Sequence, residues 1–203
     1  VDATEEKALA LQEKYPEVTY MRITEKGVGA AFRAGVAANT ADIVGYMDID
    51  LSSDIKHLLD MKNIFETRQG IVMVNASKQA KGAKTIGRPW IRNVTSGGLT
   101  LIMKMGLKMK ASDAICGFKF FRKEYIDRLI ASINSDEKGW FYIIELLIRT
   151  ERRENYDGQL IYELPVIYTE VDGGHVDVVK QTMNYLKNIK KLRGKMKEEK
   201  NPV

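Results

Sequence analysis

Short apolar runs that alternate with helical segments constrain the fold of this chain more than any other feature. Residues 43–47 and 71–74 are apolar runs of the kind that is buried on both faces of a parallel sheet. An alanine-rich helical segment over 30–39 precedes the first run, and apolar residues at helical spacing over 55–65 separate the two. This β-α-β-α alternation predicts an α/β domain in three layers with a mostly parallel central sheet.

The rest of the chain shows the same two kinds of pattern. Helices are predicted over 4–15, 91–109, 123–132, 140–153 and 176–193. Strands are predicted over 18–23 and 117–121 and, with a break near Pro165, over 160–171. The polar, glycine-containing stretch 75–89 is predicted to be a mobile loop. The 203 residues, 44% of them hydrophobic, suffice for one domain with a buried core and exclude a disordered chain.

The net charge of +5 is concentrated in the last part of the chain. Residues 180–203 carry eight Lys or Arg against two Glu, whereas residues 1–179 hold 24 basic and 25 acidic residues. We therefore divide the chain into a nearly neutral domain, 1–179, and a basic amphipathic helix or tail, 180–203, which either lies on an anionic membrane surface or packs on the domain. The neutral domain argues against a nucleic-acid-associated nucleotidyl transferase, whose groove would be basic, so no nucleic-acid partner is expected.

The absence of a cysteine pair and of a long apolar run narrows the class of protein. The single cysteine, Cys116, cannot form an internal disulfide, which favours a reducing compartment. No apolar run approaches the roughly 20 residues that span a bilayer. We expect a cytoplasmic protein that is peripheral at the membrane.

Two carboxylates follow the first apolar run. In open α/β sheets, ligands bind beyond the carboxyl ends of the strands, which is where Asp48 and Asp50 lie. Side chains two residues apart on a strand point the same way, so both carboxylates can address one ion. Carboxylates without nearby His or Cys suit Mg²⁺ or Mn²⁺, and such an ion suits a diphosphate. The alternative is that the two residues only cap the next turn.

Two glycines precede the alanine-rich helix. The N–H groups at a helix N-terminus can bind phosphate, and Gly27 and Gly29 stand there next to the cation of Lys26. An ordinary tight turn explains the same residues equally well.

Four stretches, taken in order, resemble the family 2 glycosyltransferases, particularly the polyprenyl-phosphate sugar transferases such as dolichyl-phosphate mannose and glucose synthases. They are K-G-x-G-x-A-x-x-x-G at 26–35, D-I-V-x-x-x-D-x-D at 42–50, G-F-K-F-F-R-K-E at 117–124 and E-L-P-V at 163–166. The resemblance covers the chain from Val1 to about Lys191 and implies the GT-A fold, a Rossmann-like three-layer α/β sandwich that binds a nucleotide-diphospho-sugar.

The resemblance also implies a role for individual residues. Asp48 and Asp50 would hold Mg²⁺ or Mn²⁺, with Ser52 at the place of a third polar ligand. The implied nucleotide-sugar site consists of Asp2, Lys26, Gly27, Gly29, Asp48, Ile49, Asp50 and Lys78. The implied acceptor-phosphate site consists of Arg92, Arg122 and Lys180. The implied catalytic residues are Asp50, Arg92 and Glu145.

Each of these roles has a physical reason and, for several, an alternative. Basic side chains neutralise the diphosphate and the charge that develops on the leaving group. For Lys78, Arg88 and Arg92, a solvated loop is the alternative. Glu145 is either an inward functional carboxylate or a polar position on an amphipathic helix.

The function that we predict from the sequence is metal-dependent transfer of a hexose from a nucleotide-diphospho-sugar to a polyprenyl or dolichyl phosphate at the cytoplasmic membrane face. Its partners would be the donor, the acceptor and an anionic membrane surface. Family members begin with an apolar strand that ends in a Pro-x-Tyr-Asn-Glu-like segment, and we expect this chain, which starts at Val1, to lack it. One alternative is therefore an inactive fragment that only binds a nucleotide sugar. Another is a family 2 enzyme acting on a soluble or cell-wall saccharide.

Overall fold

The computed structural model of the protein describes residues 3–133, 135–153, 160–170 and 178–198. Within these ranges the strands are β1 (Ile43–Met47), β2 (Met73–Ser77), β3 (Lys84–Ile86), β4 (Phe118–Arg122), β5 (Ile161–Pro165) and β6 (Ile167–Thr169). The helices are α1 (Thr4–Lys14), α2 (Val28–Ala38), α3 (His57–Thr67), α4 (Trp90–Leu107), α5 (Lys123–Ala131), α6 (Phe141–Arg153) and α7 (Val178–Glu198).

The central sheet has four strands in the order β1-β4-β2-β5. Strand β2 pairs with β5 in parallel, and β4 pairs with β1 and β2 antiparallel. Three strands therefore run in one direction, as the sequence predicts, and β4 alone opposes them. The ends of β1, β2 and β5 meet the start of β4 at one end of the sheet, which we call the carboxyl end.

Each face of the sheet is covered by helices, which confirms the three-layer prediction. On one face α2, α4, α5, α6 and α7 enclose a core that includes Phe32, Phe121, Ile143 and Ile189. On the other face α3 packs its apolar side on the sheet through contacts such as that of Phe65. Residues 141–151 of α6 are all buried, so this helix is the centre of the larger core.

Two predicted elements differ from the structure. Residues 18–23 form no strand in the described part of the chain, and both Val18 and Met21 are exposed. A β-rich sequence becomes a strand only where another strand pairs with it. The stretch 75–89 contains β3, which pairs in parallel with β6 in a small second sheet. This pairing joins residues about 80 apart in sequence, so nothing local in the polar stretch predicts it.

Helix α7 crosses the predicted boundary at residue 180 without a break. Its residues Tyr185, Ile189, Leu192 and Met196 are buried in the larger core. The apolar stripe of the basic segment thus packs on the domain, which was one of the two alternatives. None of the described helices combines the length and apolarity that crossing a bilayer requires.

Candidate active site

The turn after β1 holds the two predicted carboxylates. The Asp48 N–H donates to the Gly117 carbonyl at 2.8 Å, and Asp50 Oδ1 accepts from the Ser52 N–H at 2.9 Å. A Cβ atom on Gly117 would lie 1.8 Å from Asp48 Oδ2, so only glycine permits this approach. Ile49, between the carboxylates, is 96% exposed and is accessible to a ligand.

The electrostatics of this turn favour a cation. Burial, together with the charge of Asp50, raises the pKa of Asp48 to about 6, and Lys78 and Lys119 oppose the rise. Among the described residues no basic side chain forms an ion pair with either carboxylate. A divalent ion would relieve the repulsion between the two charges, and carboxylate oxygens are ligands that Mg²⁺ and Mn²⁺ accept.

Further protein ligands for such an ion are few. The described part of the chain contains no cluster of three or more His, Cys, Asp or Glu side chains that could hold a metal. Ser52 is buried beside Tyr168, and its side chain counters the rise that burial causes in the pKa of that tyrosine. The structure thus does not show Ser52 turned to the ion. Two carboxylates suit Mg²⁺ or Mn²⁺ where diphosphate oxygens and water complete the shell.

A row of polar side chains crosses the sheet just below this turn. The strand register places Tyr46 opposite Lys119, Lys119 opposite Asn75, and Asn75 opposite Glu163. Lys119 is fully buried and donates to Asn75 Oδ1 at 2.6 Å and to the Cys116 carbonyl at 2.9 Å. Burial lowers the pKa of Lys119 to about 8.

Asp113 connects this row to the end of β2. Its carboxylate lies 3.3 Å from Lys78 Nζ and accepts from the N–H groups of Lys78 and Ile115 at 3.1 and 2.8 Å. Burial alone would raise the pKa of Asp113, but Lys78, Lys119 and these N–H groups hold it below its ordinary value. The side chain of Lys78 is only 9% exposed, so it does not lie in a solvated loop.

A cavity of about 300 Å³ opens beside Lys78. It is lined by Lys78, Gln79, Thr85, Arg88, Asn93 and Ser96, and we call it the Lys78–Arg88 cavity. Arg88 donates to Ser96 Oγ at 2.5 Å and lies 3.7 Å from Glu170 Oε2, while its buried Nε has no hydrogen-bond partner among the described residues. Arg92, which is more exposed, also pairs with Glu170. Two buried cations and an unused N–H group make this cavity suitable for an anion.

Two predicted site residues lie elsewhere. Arg122 ends β4, and because β4 is antiparallel, this residue is at the opposite end of the sheet from Asp48. It donates to the carbonyls of Ile71 and Phe65 at 2.8 and 2.7 Å and so joins α3 to β2. The structure therefore does not bring Arg122 together with Asp48 and Asp50, and its acceptor-phosphate role stays a prediction.

Glu145 is the second such residue. It is buried on α6, where its carboxylate accepts from Arg149 Nε at 2.8 Å and from Ser135 Oγ at 2.6 Å. Both oxygens are thus engaged in an internal ion pair and a hydrogen bond. This geometry agrees with a structural polar position on the helix and not with a catalytic carboxylate that faces an acceptor.

The glycines before α2 have a packing role. Gly27 has φ of 137°, and a Cβ there would lie 2.1 Å from the Lys138 carbonyl; a Cβ on Gly29 would lie 2.5 Å from the Cβ of Tyr142. The Lys138 carbonyl accepts the Ala30 N–H at 3.0 Å, so the segment before α6 caps the helix that was predicted to bind phosphate.

Lys26 is exposed beside this junction. Asp2 lies outside the described residues, as does the side chain of Lys180.

No site role was predicted from the sequence for Asn75, Asp113, Lys119 and Glu163. Arg88 was predicted only as a cation in a loop. One signal could have found Lys119. In the strand Phe118–Arg122, Lys119 stands among aromatic residues. It points to the same face of the sheet as Phe121, two residues later, and Phe121 faces the core. A charged residue at a core-facing strand position requires a buried partner.

Comparisons with known proteins show the family and the fold. The family model described as glycosyl transferase family 2 matches residues 1–130. The chain is 26% identical over 157 residues to the glycosyltransferase AglD of Haloferax volcanii, covering 77% of this chain and 24% of that protein. It is 22% identical over 199 residues to a dolichyl-phosphate beta-glucosyltransferase of Dictyostelium discoideum, covering 95% of this chain and 59% of that one.

Among solved structures, glucosyl-3-phosphoglycerate synthase of Mycobacterium tuberculosis in complex with Mn²⁺, UDP-glucose and phosphoglyceric acid superposes with a TM-score of 0.64 at 19% identity. The match covers 96% of this chain and 66% of that one. A likeness at this level of identity shows the fold, and the predicted GT-A fold is confirmed. The chain spans less than two thirds of the length of each of these three proteins.

Asp48→Asn should stabilise the fold near neutral pH and leave it nearly unchanged in acid. The folded protein holds the pKa of Asp48 at about 6, above the ordinary value of 3.8 that the unfolded chain has. Folded molecules therefore bind more protons between these two values, and the wild-type protein loses stability as the pH rises through that window. Asparagine removes this loss.

Urea unfolding of both proteins from about pH 4 to about pH 7.5, without divalent ions, measures the effect. Asp42→Asn, at an exposed position before β1, is the matched control and should show no such trend. A difference between wild type and D48N that stays constant with pH would contradict the assignment.

Proposed function

Because the chain belongs to glycosyl transferase family 2, we propose that it transfers a hexose from a nucleotide-diphospho-sugar to a polyprenyl phosphate of the dolichyl type. The observation that carries this proposal is that the Asp48 and Asp50 carboxylates and the buried side chains of Lys78 and Arg88 lie at the same end of the sheet, as two separate groups of opposite charge. One group suits a metal-bound diphosphate and the other suits a second, free anion.

For the donor, Asp48 and Asp50 would hold Mg²⁺ or Mn²⁺. Such an ion supplies positive charge to the diphosphate as it leaves. Gly117 and the Ser52 N–H fix the positions of the carboxylates, so the pair is set before a ligand arrives. The neighbours crystallised with Mn²⁺ and UDP-glucose support this assignment. Ile49 and Lys26 are exposed and stay candidates for contacts with the donor.

For the acceptor, we assign the phosphate to the Lys78–Arg88 cavity, with Arg92 at its rim. Lys78 was predicted to bind the donor, but its side chain lines this cavity and lies 4.7 Å from the ring centroid of Tyr168. A phosphate oxygen is already ionised at neutral pH, so the reaction needs orientation and charge neutralisation more than a general base. This agrees with the engagement of Glu145 in an internal ion pair.

The polyprenyl chain and the membrane are assigned to the outer face of α4. Trp90, Val94, Leu101 and Met105 are all exposed, and their spacing of four, seven and four places them on one side of the helix. The first turns of α4 also supply Asn93 and Ser96 to the cavity, so the apolar side begins where the acceptor phosphate would be held. The neighbouring α7 adds exposed Met183 and Leu186 among its lysines. This surface would meet an anionic membrane at the cytoplasmic face.

The carboxylate pair is tested by the double variant Asp48→Ala with Asp50→Ala. We expect it to abolish the Mn²⁺-dependent binding of UDP-glucose, because both metal ligands that the protein offers are gone. Isothermal titration of wild type and variant, with and without Mn²⁺, measures this. Asp42→Ala, exposed and outside the site, should bind as wild type does. Unchanged Mn²⁺-dependent binding by the double variant would refute the donor site.

The acceptor assignment is tested by Arg88→Ala. Loss of a charge-assisted hydrogen bond should raise the KM for polyprenyl phosphate by about 10- to 100-fold and leave the KM for the donor unchanged. Arg88→Lys should restore part of the loss, and Arg128→Ala, on an exposed face of α5, should have no effect. An increase confined to the KM of the donor would place Arg88 in the donor site instead.

The membrane face is tested by Leu101→Ser with Met105→Ser. Removing two apolar side chains from an interface should weaken co-sedimentation with anionic vesicles at least tenfold. Leu59→Ser, equally apolar and 72% exposed on α3 across the sheet, is the matched control. The soluble-acceptor alternative would be favoured if the wild-type protein does not co-sediment with the vesicles and transfers sugar to a water-soluble saccharide.

A further inference from the structure

We infer that a second cavity, between the segment before α6 and the middle of α7, takes the hexose of the donor and sets sugar specificity through Asn184 and Asn188. Its volume is about 380 Å³. We call it the Trp140–Asn188 cavity after two of its lining residues. The inference rests on the proposed function and adds to it the residues that meet the sugar.

The position of this cavity connects it to the carboxylates. Tyr46 and Asp48 are two residues apart at the end of β1, so their side chains leave the strand on the same face. The Trp140 ring, which lines the cavity, lies 5.7 Å from the Tyr46 ring in an edge-on arrangement. Tyr185 lines the cavity too. The cavity is therefore one side chain away from the metal-binding turn.

A buried group without a partner points the same way. The Tyr46 hydroxyl is buried and has no hydrogen-bond partner among the described residues. A buried hydroxyl without a partner is unfavourable, and a bound polar ligand would remove that penalty. Tyr46 precedes Asp48 by two residues, and its ring packs against Trp140, which lines the cavity.

The lining of the cavity suits a neutral polyol. Trp140, Phe141 and Tyr185 supply aromatic surface, and Asn184 and Asn188 each supply a donor and an acceptor. Its charged groups are mostly engaged, since Lys191 binds Asp136 at 2.6 Å and Glu137 accepts from the Gly139 N–H at 2.7 Å.

The Lys78–Arg88 cavity, by contrast, has two buried cations, each beside a carboxylate, and an Arg88 Nε without a hydrogen-bond partner among the described residues. The two cavities thus differ in the ligand they suit, since one offers charge to a phosphate and the other offers hydrogen bonds and aromatic surface to hydroxyl-bearing carbons.

Helix α7 holds the two asparagines as a rigid pair. They are four residues apart and share one side of the helix. The buried Tyr185, Ile189 and Leu192 fix the helix to the core, and Lys191 and Lys195 both bind Asp136 on the segment before α6. Asn184 is exposed and Asn188 is half-buried, so both can be replaced without disturbing the core.

The test is the double variant Asn184→Ala with Asn188→Ala. We measure the binding of UDP-glucose and GDP-mannose, each beside its free nucleoside diphosphate, by titration in Mn²⁺. For the nucleotide sugar that wild type binds, we expect the Kd to rise about tenfold in the variant, with no change for the free diphosphate, because two hydrogen bonds to the sugar are lost. Asn63→Ala on α3 is exposed and serves as the matched control, which should bind as wild type does.

Each other outcome is decisive. An equal loss for the nucleotide sugar and for the free diphosphate would overturn the inference and place the nucleotide itself in the cavity. No loss for either would overturn it as well. If the wild-type protein binds neither nucleotide sugar, the proposed function is refuted. If the variant binds the nucleotide sugar as wild type does, only the role of the cavity is refuted. The unfolding temperature of the variant is the control for folding. A value equal to that of wild type shows that α7 is still docked on the core.

Discussion

The buried carboxylate of Asp113 is the group on which the carboxyl end of the sheet depends. It accepts from the N–H groups of Lys78, Ile115 and Cys116 and faces the ammonium groups of Lys78 and Lys119. These bonds fix the chain between α4 and β4 against the end of β2. Gly117, in the same stretch, then receives the Asp48 N–H. The position of the turn that holds Asp48 and Asp50 is thus set by the buried ion cluster of Asp113, Lys78 and Lys119.

A buried cluster of this kind gives little net stability, because removing the charges from water offsets most of their attraction. Its effect is on geometry. Lys119 can donate to Asn75 and to the Cys116 carbonyl together only when β4 and β2 are in their observed register. A slip by one residue would turn Lys119 into the α3 side of the sheet, among apolar residues, and leave Asp113 with one cation fewer. The polar row therefore specifies the register of the strand that opposes its neighbours.

The fold could be predicted from the sequence to a large extent. The apolar runs at β1 and β2 and the apolar periodicities of α3, α5 and α6 are local signals, and each of these elements is present in the structure. The position of Asp48 and Asp50 follows from the same reasoning, since it requires only that a parallel strand ends there. Long-range pairing could not be predicted, because the pairing of β3 with β6 and the antiparallel insertion of β4 depend on which strands meet. That single insertion is why Arg122, in a motif of the right kind, lies at the opposite end of the sheet from Asp48.

The close approach of Gly117 to Asp48 limits which substitutions the turn after β1 can accept. One wall around the carboxylate is main chain, so no substitution at position 117 can add a ligand or a charge there without displacing the carboxylate itself. The asparagines of α7 are the opposite case, because they project from a helix whose other side is anchored. Under the proposed function, libraries that seek a new donor sugar would therefore tolerate wide variation on α7 and almost none in the turn. The residues proposed for sugar choice and those proposed for metal binding would then evolve at different rates.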